Sequence, residues 1–294
     1  MRITVFTPTY NRGYLIENLY RSLQRQTFHD FEWVVVDDGS TDDTEERFAS
    51  FAKEENAFPI RYIKTVNGGK HRAINVGTQL AQGELFYIVD SDDYLPDDAL
   101  QIIDEVERTI PEEEKDTFGG VCGIKGFGND KAIGSSFEGE FLDITMLERA
   151  KNGISGDKAE AFYTALLRKY PFPEYEGEKF VTECVVWDKI AFDGYRLRFF
   201  NKTVMICEYR PDGLSAQGEK LFFRNPKGWG LYLHQCAKYG KIKGLEKWSA
   251  YNKYYKKLEE QNNLFQIARN LNINPCVLGL RILGLRVFYK LYDR

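Results

Sequence analysis

Over residues 1 to about 108 the chain alternates short β-rich runs with amphipathic helical stretches, a rhythm that leaves few folds open. It reads as βαβα and therefore as a mostly parallel sheet, because parallel neighbours need a crossover between them. Strands are expected at 3–6, 33–36, 60–64 and 85–89, and helices at about 14–26, 41–53, 70–81 and 97–107. The second and fourth runs are nearly all apolar, as suits central strands covered on both faces. Each polar cluster then falls just past the carboxyl end of a strand, where open α/β sheets bind their ligands.

Four such clusters carry chemistry. VDSDD, residues 89–93, ends an apolar strand and is followed by YLPDD, whose proline and aspartates suit the first turn of a helix. Three crowded carboxylates repel one another unless a positive group sits among them, and a hard divalent cation, Mg²⁺ or Mn²⁺, fills that place because it takes oxygen ligands and bridges to phosphates. A solvated acidic loop capping the next helix is the competing reading. VVVDDGSTDDT, residues 34–44, runs a buried strand into paired aspartates. Thr41 or Asp42 suits a helix cap, which leaves Asp37 and Asp38 to accept from a base-edge N–H or a ribose hydroxyl. TPTYNR, residues 7–12, offers Pro8 to stiffen a loop and Tyr10 as a flat face for a nucleobase. In NGGKHRAIN, residues 67–75, two glycines allow close backbone approach, and Lys70, His71 and Arg72 open a helix whose dipole already favours an anion. A bound diphosphate would relieve the conflict between those cations and the dipole.

The succession of aromatic loop, DDGS, GGK and DSDD, each after its strand, resembles the nucleotide-sugar-binding half of the inverting glycosyltransferases of family 2, which have the GT-A fold. The resemblance covers about 1–215 and is dense over 3–98. It implies that Pro8, Tyr10 and Asp38 contact base or ribose, that Asp90 faces the ribose, and that Asp92 ligates the metal with Asp93 as second ligand or support. Where many relatives carry an Arg-Asn pair in the third helix, Ile74 precedes Asn75 here, so Lys70 and Arg72 must supply the positive charge. Relatives also carry an acidic pair, often Thr-Glu-Asp, at the start of a helix facing the acceptor. EGEKFVTECVVWDKIA, residues 176–191, matches at Thr182 and Glu183 but places Cys184 where the aspartate belongs. Glu183 is the expected general base, with Glu176, Glu178 and Asp188 as fallbacks, since a thiol of ordinary pKa near 8.5 is mostly protonated at neutral pH.

The expected architecture is α/β: a GT-A-like, Rossmann-type domain with a mixed, mostly parallel sheet over 1–218, then a helical extension over 219–294. Within the domain, 1–110 is expected to bind the nucleotide-sugar and 111–218 to form the acceptor side. The middle, with GGVCGIKGFGND, PFPEYEGEKF and a strand at 204–207, is read as the second half of that domain. The implied reaction moves a sugar from a nucleotide-diphosphate donor, a UDP-sugar being favoured, to a hydroxyl on a glycan or lipid-linked glycan. Cell-surface polysaccharide or glycolipid synthesis is the expected setting. A D-x-D-x-T phosphatase would carry its motif after the first strand with a hydroxyl residue following, whereas Tyr94 stands there; a sugar nucleotidyltransferase would want a glycine-rich basic loop where TPTYNR stands. A non-catalytic nucleotide-sugar or glycan binder on the same fold remains the alternative.

A net charge of −4 argues against a nucleic-acid partner held through phosphates, so any basic function must be local. Five scattered cysteines without a C-x-x-C pair suit a reducing cytoplasm. MRITVFTPTYNRGY lacks the form of a signal peptide, and no apolar stretch of about 18 residues suggests a membrane span. The terminal VLGLRILGLRVFYKLYDR, as a helix, aligns Arg286, Lys290 and Arg294 between broad apolar faces. Residues 277–294 are thus expected either to lie in a membrane interface, placing the protein at the inner face of the membrane, or to pack on a core with snorkelling basic ends.

Overall fold

The first half of the chain builds four parallel strands with a helix after each. In chain order they are β1 (Ile3–Thr9), α1 (Ile16–Gln24), β2 (Phe31–Asp37), α2 (Thr44–Phe51), β3 (Ile60–Lys64), α3 (Lys70–Leu80), β4 (Leu85–Ile88) and α4 (Ala99–Arg108). The computed structural model describes residues 1–128, 131–208, 210 and 212–292, with side chains through Gly284 apart from that of Ser215. β1 is central, Ile3 lying opposite Phe31 of β2 and Leu85 of β4, and β3 flanks β2. Helices α1 and α2 start later than the periodicity suggests because the preceding backbone is committed elsewhere. Arg12 N donates to Thr44 Oγ1 (3.3 Å), Gly13 N to Asp42 Oδ2 (3.1 Å) and Thr41 N to Asn11 Oδ1 (2.8 Å).

Strand alternation sorts the core into two faces. Ile3, Val5, Trp33, Val35, Leu85 and Tyr87 pack with α1, α2 and α4 in one apolar cluster. Phe6 faces the other way, against α3, so closely that a Cβ on Gly77 would collide with its ring. A sheet covered on both faces explains why its strands read as continuous apolar runs.

The remaining strands make the sheet mixed: β5 (Phe118–Gly126), β6 (Phe141–Ile144), β7 (Lys158–Tyr163), which runs into α5 (Thr164–Lys169), and β8 (Arg196–Ile206). The strand order is β3-β2-β1-β4-β7-β5-β8-β6. β7 is antiparallel to both β4 and β5, β6 is antiparallel to β8, and β5 runs parallel to β8. The glycine-rich GGVCGIKG, opaque in sequence, is the interior strand β5. Its glycines make room for neighbours: a Cβ on Gly123 would lie 2.6 Å from Val204 Cγ2 and 2.7 Å from Phe200 Cζ. The strand expected at 204–207 is the end of the longer β8.

Residues 1–172 and 190–213 form one compact unit, and residues 173–189 and 214–294 form a second. The second unit holds α7 (Glu219–Phe223), α8 (Pro226–Lys238), α9 (Gly244–Leu258), α10 (Leu264–Asn270) and α11 (Pro275–Tyr292), together with the start of α6 (Cys184–Phe192). Its core joins Trp229, Leu233, Tyr251, Tyr254, Ile267, Leu278 and Ile282. Segment 173–189 therefore groups with the C-terminal helices, although the sequence placed it in the 1–218 stretch. The reason is specific polar attachment. The buried Glu178 carboxylate accepts from Lys227 N (2.7 Å) and Gly228 N (2.9 Å) at the start of α8, and Asn225 Oδ1 accepts from Lys179 N (2.8 Å) and Phe180 N (3.1 Å). Asp188, also buried, pairs with Lys241 Nζ at 2.6 Å. The basic stripe expected at Arg286, Lys290 and Arg294 lies outside what is described: the side chains of Arg286 and Lys290, and Arg294 as a whole.

Glu178→Ala strands two buried backbone donors and removes the anion from a helix N-terminus, so it should destabilise the helical unit by about 1–3 kcal/mol. Urea unfolding followed by tryptophan fluorescence checks this; Glu178→Gln, which keeps one acceptor oxygen, should lose less.

Candidate active site

The carboxyl ends of β1, β2, β3 and β4 lie along one edge of the sheet, and all four motif loops leave from it. Pro8 is not in the loop, as expected from sequence, but inside β1, buried and opposite Val36. Its missing N–H has a structural consequence. Val89 N donates to Phe6 O (2.9 Å), and the next rung of that ladder would need an N–H from Pro8. Pairing of β1 with β4 stops there, and the chain turns into Asp90–Asp93.

The paired aspartates of β2 act as anchors. Asp37 Oδ1 accepts from Ser40 N (2.7 Å), and its other oxygen from the Tyr62 hydroxyl. Asp38, buried, accepts from Gly68 N (2.6 Å), Gly69 N (2.8 Å) and Asn67 Nδ2 (3.1 Å). These bonds hold the turn before α3, where Gly69 sits at φ 98° in a conformation only glycine adopts readily. Asp38, expected at base or ribose, thus has its carboxylate engaged with the turn that presents Lys70. Asn75, in the third helix, staples Phe172 through both its backbone groups (2.8 and 2.9 Å), while Ile74 is buried.

The loop after β1 is tied to the loop after β2. Asn11, at φ 52°, donates its N–H to Ser40 Oγ (2.8 Å). Tyr10 projects from this braced loop 47% exposed, available as a stacking face. Arg12 bonds the carboxylate of Asp212, which also accepts from the Tyr14 hydroxyl (2.7 Å). Burial opposes the Arg12 charge, but the bond to Asp212 and nearby anions, Asp92 among them, hold its pKa above the ordinary value.

In the acidic loop the three aspartates differ. Lys70 Nζ lies 2.7 Å from Asp90 Oδ1. Burial pushes Asp90 up, yet the charges of Lys70 and Lys125 and the Lys70 hydrogen bond outweigh it and hold the carboxyl below its usual range. Asp92, half-buried, is raised, first by burial and then by the charge of Asp90. Asp93 is buried, accepts from Cys207 Sγ (3.3 Å), and is pushed up to about 7 by burial and the charges of Asp90 and Asp92, against the opposing charge of Lys125. The loop is stitched to the end of β8 by Tyr94 N to Ile206 O (3.0 Å) and Ile206 N to Tyr94 O (2.8 Å). Arg72, the other expected cation, donates from Nη1 to Gly68 O (2.9 Å) within its own turn. Among the described residues no three His, Cys, Asp or Glu side chains form a ready metal cage. Asp92, half-buried and raised first by burial and then by the charge of Asp90, is the carboxylate of this loop that could help hold a Mg²⁺-type ion, which commonly takes one or two carboxylates plus phosphate and water.

Arg12, Asp212, Lys125 and Cys207 were not singled out from sequence. Arg12 stood within the TPTYNR motif; the others come from β5 and the chain beyond β8, with no local signal to link them to Asp90–Asp93. Glu183, in the other compact unit, is half-exposed and its carbonyl accepts from Val186 N and Trp187 N (both 3.0 Å) at the start of α6. Of its fallbacks, Glu178 caps α8 and Asp188 pairs with Lys241, while Glu176 is exposed. Burial and Asp188 push the Cys184 thiol up to about 11, so it stays protonated at neutral pH.

A mixed, mostly parallel sheet with aromatic, diaspartyl, glycine-lysine and acidic loops on one carboxyl edge has the arrangement of a GT-A-type domain. Residues 4–134 match the model of glycosyl transferase family 2. The poly(ribitol-phosphate) beta-N-acetylglucosaminyltransferase TarS of Staphylococcus aureus is 32% identical over 179 residues, 59% of this chain and 30% of that protein. The GalNAc(5)-diNAcBac-PP-undecaprenol beta-1,3-glucosyltransferase of Campylobacter jejuni is 28% identical over 190 residues, 63% of this chain and 58% of that one. The chain thus spans less than two thirds of either relative. Among solved structures, S. aureus TarS 1–349 with UDP-GlcNAc superposes with a TM-score of 0.60 at 20% identity, over 97% of this chain and 92% of that one. The mannosyltransferase PcManGT of Pyrobaculum calidifontis with GDP-Man and Mn²⁺ gives 0.55 at 21%, over 99% and 82%. At such identities these neighbours establish the fold: a mixed, mostly parallel sheet of GT-A type, with C-terminal helices.

Asp38→Ala leaves the buried N–H groups of Gly68 and Gly69 without that acceptor. It should cost about 1–3 kcal/mol of stability, read as a lowered melting temperature, with amide exchange accelerated at the start of α3.

Proposed function

We propose that the protein is a metal-dependent, inverting glycosyltransferase that moves a sugar from a nucleoside-diphosphate donor to a hydroxyl on a glycan or lipid-linked glycan. The observation that carries this reading is the meeting of four loops at one sheet edge: Tyr10 exposed, Lys70 beside Asp90, and Asp92 with its charge only partly balanced. Tyr10 stacks on the base, Asp90 faces the ribose, and Pro8 and Asp38 shape the pocket floor from behind. Lys70 and Arg72 balance the diphosphate at the N-terminus of α3. A divalent cation held by Asp92, with Asp93 supporting from below, would supply Lewis-acid stabilisation of the departing diphosphate. Relatives named for poly(ribitol-phosphate) and PP-undecaprenol acceptors favour a cell-surface polymer or glycolipid as acceptor, and the solved complex with UDP-GlcNAc favours a UDP-sugar. The five cysteines are all free, which fits a reducing, cytoplasmic setting.

The chemistry is one displacement. The acceptor oxygen bonds the anomeric carbon as that carbon's bond to the β-phosphate oxygen breaks; the nucleoside diphosphate leaves and the configuration inverts. The acceptor proton passes to a carboxylate, for which Glu183 is our choice, since it is half-exposed just before α6, at the position where the resembled family carries its acidic residue, and the adjacent Cys184 thiol holds its proton.

Calorimetry should show nucleoside-diphosphate binding that needs Mn²⁺ and weakens by about tenfold, about 1.4 kcal/mol, in Asp92→Asn. Metal-dependent affinity that survives this change refutes the metal assignment. Tyr10→Ala should weaken nucleoside binding by about 1–3 kcal/mol with the melting temperature unchanged, because the ring is exposed.

Nucleotide release from a panel of donors with Mn²⁺ tests the reaction itself. Glu183→Gln should keep nucleotide binding but lose about 10²–10⁴ in turnover, and Cys184→Ala should retain most of it. Nucleotide binding with no turnover for any donor and acceptor would favour the non-catalytic binder.

A further inference from the structure

The charge of this chain is divided unevenly. Residues 219–294 carry 15 Lys and Arg against 5 Asp and Glu, a net +10, whereas residues 1–218 carry 25 against 39, a net −14. Such asymmetry in a chain of overall charge −4 marks the C-terminal helices as the region that meets a polyanion.

The same helices expose apolar side chains that their core does not use. In α11, Leu278 and Ile282 point inward while Val277, Leu280 and Leu283 are exposed; Phe265 at the start of α10 and Leu245 at the start of α9 are exposed too. Leu245, Phe265 and Leu280 are each at least 70% exposed. Residues beside these positions meet across the three helices. The Arg281 guanidinium lies 5.2 Å from the ring centre of Trp248, one turn after Leu245, and Leu264, next to Phe265, reaches to 3.3 Å from where a Cβ on Gly279 would stand. Each apolar projection has an exposed cation at hand: Lys243 before Leu245, Arg269 one turn after Phe265, and Arg281 between Leu280 and Leu283.

We propose that this face, built from the starts of α9 and α10 and the middle of α11, docks on a bilayer surface carrying anionic lipid. The cations meet the headgroups while Leu245, Phe265, Leu280 and Leu283 enter the boundary with the acyl chains. Among the described residues no helix is long and apolar enough to cross a membrane, so the contact is peripheral. A nucleic acid would satisfy the cations but leave the leucines and phenylalanine against phosphate and sugar. A second copy of the chain would set one strongly basic face against another. The inference stands on charge and exposure and does not use the transferase reading.

The test is cosedimentation of the full chain with phosphatidylcholine vesicles, with and without phosphatidylglycerol. Binding should need phosphatidylglycerol, weaken as salt is raised, and shift Trp248 emission to the blue. It should fall by about tenfold or more in both Leu280→Ser/Leu283→Ser and Lys243→Glu/Arg269→Glu, whose exposed sites leave the melting temperature unchanged. Protein that stays in the supernatant, or variants that bind as well as the parent, overturns the proposal. So does a dimer in velocity sedimentation that the leucine pair abolishes, or binding to duplex DNA or RNA that the charge pair alone abolishes. Retained nucleotide binding in both variants separates this surface from the sheet-edge site.

Discussion

Parallel strands cannot be joined by tight turns, and everything at the candidate site follows from that. Each of β1 to β4 must hand the chain to a crossover helix before the next strand can enter in the same direction, so every loop after a strand leaves from the same edge. Motifs up to about 80 residues apart are thereby neighbours. Pro8 sharpens the arrangement by withholding the N–H that would carry β4 one rung further, which frees Asp90 to Asp93 to turn away from the sheet.

Charge at that edge is arranged in depth. Asp37 and Asp38 are committed to holding loops, and Asp93 lies beneath the surface against Cys207 with its proton affinity raised. Asp90 is balanced by Lys70. Asp92 is left half-exposed, destabilised as an anion by burial and by Asp90. A cation arriving with a diphosphate would remove that repulsion, which is how an acidic loop and a helix N-terminus can serve one doubly charged ligand.

The helical unit works by different physics. Its core is aromatic and aliphatic, its attachment to residues 173–189 is made by Glu178, Asn225 and the Asp188–Lys241 pair, and its surface concentrates lysine and arginine around exposed leucines. Carrying Glu183 at the start of α6, this unit joins the proposed base to the same compact body as the basic surface. A transferase that draws its acceptor from a lipid surface would have use for both.

Much of the N-terminal half was legible because local signals and global fold agree there: apolar runs of strand length, helical periodicity between them, and polar clusters at each strand end. The family resemblance rested on those same residues, and the matched segment 4–134 takes in nearly all of the region, 3–98, where they are dense. Elsewhere local pattern was silent. The glycines of β5 are explained by the side chains of Val204 and Phe200, some 80 residues on, which occupy the space a Cβ would need. The grouping of 173–189 with the C-terminal helices depends on carboxylate and amide contacts with α8 that no periodicity announces. Asp38 could be seen as polar and well placed, but not that its oxygens would be taken by Gly68 and Gly69. The sequence by itself therefore determined which elements form and which motifs share the sheet edge, because strand direction and crossover geometry follow from pattern alone. Tertiary structure alone decided which of the gathered carboxylates stay available, because burial and hydrogen-bond partners come from residues far away in the chain.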